Sequence, residues 1–318
     1  MSNLLFSLNA TLPVFLVMVV GYVLKHIGIL NDEFVRVSNQ FNFKVTLPVL
    51  LFTDIAATNI RENFDARYVF FCAAITTIAF FGIWIGAKLL IKDKSIIGAF
   101  VQASYRSSAA IMGVAFIQNI YGTSGMAPLM IIGSVPLFNI YAVLVLTFES
   151  NDSTQRQSGA AALKKALKNI AKNPIIIGIL CGIVASCFNL YIPPILDKTL
   201  SSIAALASPL ALIAIGAGFK GRAAIAKIKP TLAAACIKLI LLPGIFLFAA
   251  VKMGFYDQKL VALIVMLGSP TTPSSYIMAE NMHGDGVLTS STVVVTTLLS
   301  SVTLTFWIFV ARSLGYIL

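Results

Sequence analysis

Two short polar runs interrupt an otherwise apolar chain. The first, Gln102-Ala103-Ser104-Tyr105-Arg106-Ser107-Ser108, sets an arginine among hydroxyls; the second, Gly268-Ser269-Pro270-Thr271-Thr272-Pro273-Ser274-Ser275, sets two prolines among hydroxyls. Each proline removes a backbone donor and crowds the preceding turn, so the second run predicts a break in a helix. A broken helix presents free N–H groups and the positive end of its dipole, and both attract anions. A guanidinium adds a planar fork that fits a carboxylate with two parallel hydrogen bonds. These residue types point to recognition of a small organic anion. The candidate binding set is Arg106, Ser107, Ser108, Ser269, Pro270, Thr271, Thr272, Pro273, Ser274 and Ser275. Two plainer readings stand beside it: the prolines merely kink a packed helix, and Arg106 tethers backbone carbonyls or snorkels to the interface.

Other chemistries find few residues. Neither run holds a His, Asp, Glu or Cys, so hydrolysis lacks a nucleophile with an adjacent base, and a metal lacks ligands. No Gly-x-x-x-x-Gly-Lys loop exists to drive a pump with ATP. The chain is therefore expected not to be an enzyme and to carry no cofactor. Cys72, Cys181, Cys187 and Cys236 form no CxxC pair and are expected to be small core residues.

Lys44 and Lys238 fall, like Arg106, inside apolar stretches. A Lys or Arg at the centre of a membrane helix costs about 2.5–3.5 kcal/mol and needs a partner, a wet cavity or a route to the interface. Lys44 is expected to snorkel. Lys238 has three open roles: neutralising substrate charge, standing in for a bound cation, or packing between helices. Asn42, Pro48, Pro209 and Lys238 make up the expected support and coupling set. A proton site would use a displaced acid such as Asp54 or Glu280, and a sodium site would use carbonyls and hydroxyls; coupling to Na+, to H+ or to neither stays open. His26 and His283 sit at loop edges and are expected to be solvated.

The elements that position these residues follow from composition. Of 318 residues, 58% are hydrophobic and 11% charged, with mean hydropathy +0.91, whereas a soluble domain carries about 25% charged residues. Apolar stretches fall near 5–27, 34–56, 67–91, 95–120, 126–148, 174–190, 197–219, 227–250, 258–281 and 289–315, each close to the length that crosses a bilayer. They are called spans one to ten here. The expected fold is an all-α membrane protein of ten transmembrane helices whose main partner is the lipid bilayer. The first stretch lacks a cationic start and a small-residue cleavage site, so it reads as a retained span. The net charge of +11 is spread between apolar runs rather than gathered on one face, so no nucleic-acid partner is expected. Counting Lys and Arg at loops and span ends gives 14 on one side against 6 on the other. This predicts both termini outside and the basic segment 151–172 in the cytoplasm.

The chain also matches itself. Pro13, Gly21 and Pro48 recur as Pro174, Gly182 and Pro209 at a separation of 161, and Ser107, Asn119 and Gly122 recur as Ser269, Asn281 and Gly284 at 162. This predicts two five-span repeats, 1–150 and 173–318, joined by the linker. An odd number of spans per repeat inverts the second, as in many secondary transporters, and brings broken spans four and nine together near the midplane. Gly82-x-x-x-Gly86 and Gly178-x-x-x-Gly182 are expected to permit close helix approach.

Several stretches together resemble the auxin efflux carrier family: Leu47-Pro48-Val49-Leu50-Leu51-Phe52; Tyr105-Arg106-Ser107-Ser108 with Met112-Gly113; Lys238-Leu239 with Pro243; and Ser274-Ser275-Tyr276-Ile277-Met278-Ala279 through Gly284-Asp285 to Thr296-Thr297-Leu298-Leu299-Ser300. The resemblance covers essentially the whole chain. It implies a fold similar to bile acid symporters and sodium–proton antiporters, with a scaffold from spans one, two, six and seven and a transport domain from spans three to five and eight to ten, in which spans four and nine cross. It also implies transport of small organic carboxylates across the bacterial cytoplasmic membrane, with a homodimer left open. The chain departs from the family pattern at Ser108, where members carry Asn, and at Ala115, where they carry Pro; the resemblance thus indicates a substrate class, not a substrate. The competing reading is a non-transporting membrane receptor that retains the pocket.

Overall fold

In the computed structural model, the described residues are 2–57, 65–109, 117, 120–121, 126–150, 168 and 171–317, with side chains described from residue 12 onward. Most of the linker 151–172 lies outside them, as do Met112, Gly113, Ala115, Asn119 and Gly122. Among the described residues every regular element is helical. Five helices are long and apolar enough to cross a bilayer: Ala66–Leu90, Ala127–Phe148, Pro194–Ala217, Ile228–Lys252 and Gly286–Ser313. Their outward faces carry large apolar side chains, with Phe70 73% and Leu90 84% exposed. Such a surface is stable against lipid rather than water. This is a multi-pass membrane protein.

Proline position explains where the helices deviate. Pro243 lacks the N–H that would bond Leu239 four residues earlier. The helix widens there into a π turn, Ile237–Leu241, and the indole Nε1 of Trp307 donates to the freed Leu239 carbonyl at 3.0 Å. Span two repeats the device with a π turn, Asn42–Thr46, just ahead of Pro48. In span seven, helix Pro194–Ala205 gives way to Ala207–Ala217, and Pro209 withholds a donor from Ala205 at this joint.

Glycine permits the closest approaches. A Cβ on Gly21 would clash with the Ile213 carbonyl oxygen, and one on Gly216 with that of Met18, joining spans one and seven. Gly178 lies against the Pro48 carbonyl, and Gly182 lies 3.0 Å from the Phe52 carbonyl at its would-be Cβ, joining spans six and two. The other expected small-residue pattern behaves differently: among the described residues a Cβ on Gly82 or Gly86 meets nothing within 4 Å, and both line an open apolar groove against span eight. Cysteine placement also differs from expectation. Cys72 is buried, but Cys181, Cys187 and Cys236 are exposed on outward helix faces.

Loop ends are fastened by caps and ion pairs. Asp65 accepts from the Tyr68 N–H at 3.0 Å at the start of span three and from Lys259 Nζ at 2.6 Å. The Lys259 hydrogen bond, then the Tyr68 N–H, hold the Asp65 carboxyl below its ordinary range. A depressed carboxylate stabilises the fold above its unfolded value, about 4, and that contribution is lost as pH falls through the lower folded value. Below about pH 4 the wild type should therefore lose more of its melting temperature than Asp65→Asn does, measured by acid titration of thermal unfolding.

Candidate functional site

Helix Ile97–Tyr105 stops inside the protein. Arg106 takes an extended conformation, φ −69° and ψ 149°, and residues 106–108 run on without helical geometry. Helix Asp257–Gly268 stops at the matching place, where Ser269 is extended at φ −71° and ψ 160°, and helix Ser274–Asn281 begins after the two prolines. A helix thus ends at each predicted interruption, and in span nine a second helix begins after it, so the plainer reading of a single kinked helix does not hold there.

The two breaks are bonded to each other. The Ser108 N–H donates to the Pro270 carbonyl at 3.0 Å. The Thr271 hydroxyl donates to the Ala103 carbonyl at 2.7 Å, and Gln102 Nε2 donates to the Ser275 carbonyl at 2.9 Å. Ser107 and Ser269, the repeat-matched serines, share a hydrogen bond between their hydroxyls. Span ten completes the set, since the Thr296 hydroxyl accepts from the Thr271 N–H at 3.0 Å. These backbone groups of the two breaks are therefore met inside the protein, as a lipid surround demands.

Arg106 lies at this meeting point and is 1% exposed. Nη2 donates to Asn139 Oδ1 at 2.7 Å and to the Ser274 hydroxyl at 2.8 Å, and Nη1 donates to Met278 Sδ at 2.9 Å and Gln102 Oε1 at 3.5 Å. Among the described residues Nε has no hydrogen-bond partner. All four acceptors are neutral, and among the described residues no acidic side chain forms an ion pair with this guanidinium. A buried cation without a counter-charge is costly. The tether to backbone carbonyls, the plainer role for Arg106, is not what the structure contains.

A cavity of about 70 Å³ opens beside it. Arg106, Ser107 and Ser108 line one side with Thr272, Pro273 and Ser274, so the start of helix Ser274–Asn281 faces the space. Span two supplies Leu47, Leu50 and Asp54, span five Phe138 and Asn139, and span seven Ser208. Of the predicted set, Ser269, Pro270, Thr271 and Ser275 lie behind this wall as the bonded framework. Ser275 is fully buried with its hydroxyl unpartnered.

The support set is more dispersed. Lys238 is wholly buried but donates to the Met266 and Leu267 carbonyls rather than lining the cavity. Asn42 is buried and accepts from the Thr46 hydroxyl, Pro48 lies at the Gly178 crossing, and Pro209 is exposed. Lys44, His26 and His283 are exposed. Three polar wall residues, Asp54, Asn139 and Ser208, lay outside the predicted binding set. Asn139 is a lone amide in the apolar run of span five, and that isolation was its signal; Asp54 was read as a candidate acid for a proton site rather than as a wall of the anion site. Asn139 also donates to the Val135 carbonyl at 2.9 Å, which fixes its oxygen toward Arg106. Asn139→Ala should weaken carboxylate binding about tenfold, the equivalent of one lost hydrogen bond to a charged group, in a direct binding titration.

Residues 6–308 match the family described as Membrane transport protein. The chain belongs to this family, the auxin efflux carriers. It is therefore a membrane transporter and not an enzyme. Relatives of this carrier match along nearly their whole lengths. A Rhizobium meliloti protein named "Putative malonate transporter" is 25% identical over 312 residues, covering 95% of each chain. An "Uncharacterized transporter YfdV" of Escherichia coli is 24% identical, covering 97% of this chain and 99% of its own. An uncharacterized transporter of Methanocaldococcus jannaschii is 20% identical, covering 94% and 97%.

Proposed function

We propose that this transporter is a secondary carrier of small organic carboxylates, malonate among them, across the bacterial cytoplasmic membrane. The observation that carries the reading is Arg106: a buried guanidinium with neutral partners and a free Nε, on the wall of a cavity at two broken helices. A carboxylate supplies the missing counter-charge, and the Ser274 and Thr272 hydroxyls on the same wall add donors beside the positive end of helix Ser274–Asn281. The relative named for malonate transport agrees with this chemistry.

The place of the cavity supports alternating access. Its walls come from spans two and seven on one side and from spans four, five and nine on the other. Spans three to five and eight to ten then move as one body against spans one, two, six and seven, and carry the anion with Arg106 in the manner of an elevator. Support for two inverted repeats, 1–150 and 173–318, comes from reciprocal packing. Gly21 meets Ile213 while Gly182 meets Phe52, and each partner pair is offset by 161 residues. Ten spans with both termini outside and the linker inside complete the reading. The receptor alternative draws on no particular contact.

Counterflow into liposomes loaded with unlabelled acid tests the proposal. Labelled malonate or a related acid from a carboxylate panel should accumulate, and the matching amides should not compete. Exchange of none of the panel, under a proton or a sodium gradient, would refute carboxylate transport.

A further inference from the structure

Pro270 has no N–H, so the Met266 carbonyl four residues earlier loses its helical donor. The Leu267 carbonyl loses its donor too, because the Thr271 N–H goes instead to the Thr296 hydroxyl. These oxygens lie at the negative end of the half-helix Asp257–Gly268, buried in the protein. Lys238 answers both: Nζ donates to Met266 O at 3.4 Å and to Leu267 O. It is 0% exposed and among the described residues pairs with no acid. Its π turn sits on the same helix end, with the neighbouring Leu239 carbonyl held by Trp307.

Backbone carbonyls at the C-terminal end of a half-helix are the ligands that a coupling cation takes in broken-helix transporters. Here an ammonium on a side chain occupies them. The device belongs to one half only, since the matched position 162 residues earlier is Thr76, a buried hydroxyl without a partner among the described residues. We infer that Lys238 is a positioning residue that acts as a tethered cation, holding the half-helix end of span nine as a bound alkali ion would. The crossing therefore keeps its shape without sodium at this end. The inference goes beyond carboxylate transport, which leaves the coupling ion open.

The purified full chain, as wild type, Lys238→Arg, Lys238→Met and Lys238→Ala, is melted in sodium chloride and in N-methyl-D-glucamine chloride at equal ionic strength, with and without malonate. Wild type and Lys238→Arg should melt at the same temperature in both salts. Lys238→Ala and Lys238→Met should melt lower, and sodium should raise them by binding the vacated carbonyls. Malonate affinity should fall about tenfold in Lys238→Ala without sodium and recover in part with it. A sodium-induced rise in the wild type overturns the inference, and so does a neutral variant equal to wild type in N-methyl-D-glucamine. Should neither neutral variant fold, wild type and Lys238→Arg decide: indifference of both to sodium supports the tethered cation, and a rise in either refutes it. Failure of the carboxylate reading would show separately, as no malonate response in any variant, while the salt comparison still stands.

Discussion

Arg106→Ala should abolish measurable carboxylate binding, lowering affinity by about 100-fold or more while the protein still assembles. The guanidinium is the one buried cation on the cavity wall among the described residues. A charge-assisted hydrogen bond contributes about 1.5–3 kcal/mol, and a bidentate pair involves two of them. A loss of about 3 kcal/mol corresponds to roughly a hundredfold in Kd. Folding should suffer less, because the four partners of Arg106 are neutral and their own bonds persist in part, as Asn139 to Val135 does. Arg106→Lys keeps a charge but loses the planar fork and the Nε donor, so it should bind more weakly than wild type and more tightly than Arg106→Ala. Calorimetric titration of malonate into the three proteins checks the order. Equal affinity in wild type and Arg106→Ala would remove Arg106 from the site.

Gly216→Ala should destabilise the transporter more than any other conservative change at a helix crossing. The added Cβ would meet the Met18 carbonyl oxygen and crowd the Tyr22 nitrogen, backbone atoms of a packed helix that cannot rotate away. Overpacking of this kind costs about 1–3 kcal/mol, and backbone resistance puts the expected loss near the upper limit. Gly82→Ala is the internal contrast. None of the described residues lies within 4 Å of its would-be Cβ, so the change should be neutral or stabilising by up to about 1 kcal/mol through helix propensity. Thermal unfolding in detergent separates the two. Equal stability of the two variants would contradict the close approach of spans one and seven.

These glycines also mark how far a sequence reading reaches. Gly82-x-x-x-Gly86 and Gly178-x-x-x-Gly182 have the same spacing, yet one lines an open groove and the other touches the backbone of span two. Spacing identifies a small face but not what covers it. The breaks were legible because their cause is local: prolines at 270 and 273 cannot continue a helix, and a polar run at the matching place marks the other. Lys238 was not legible. Its role depends on which carbonyls a proline frees in a helix about thirty residues further on, and three readings fitted the sequence equally. Asn139 fell between these cases, visible as an isolated amide but without a partner until span five packed beside span four. Three of the four cysteines, Cys181, Cys187 and Cys236, failed for a different reason. In a membrane protein the outward face is as apolar as the core, so an apolar surrounding in sequence does not imply burial.

The most direct test of the central claim is labelling of Ser108→Cys, on a background without the native cysteines, by a charged thiol reagent that cannot cross the bilayer. Ser108 lines the cavity and its N–H bonds the opposite break. A wet anion site with alternating access predicts reaction from either face of the membrane and slower reaction from both when malonate is present. A cysteine that never reacts, or one whose reaction malonate leaves unchanged, would contradict the account.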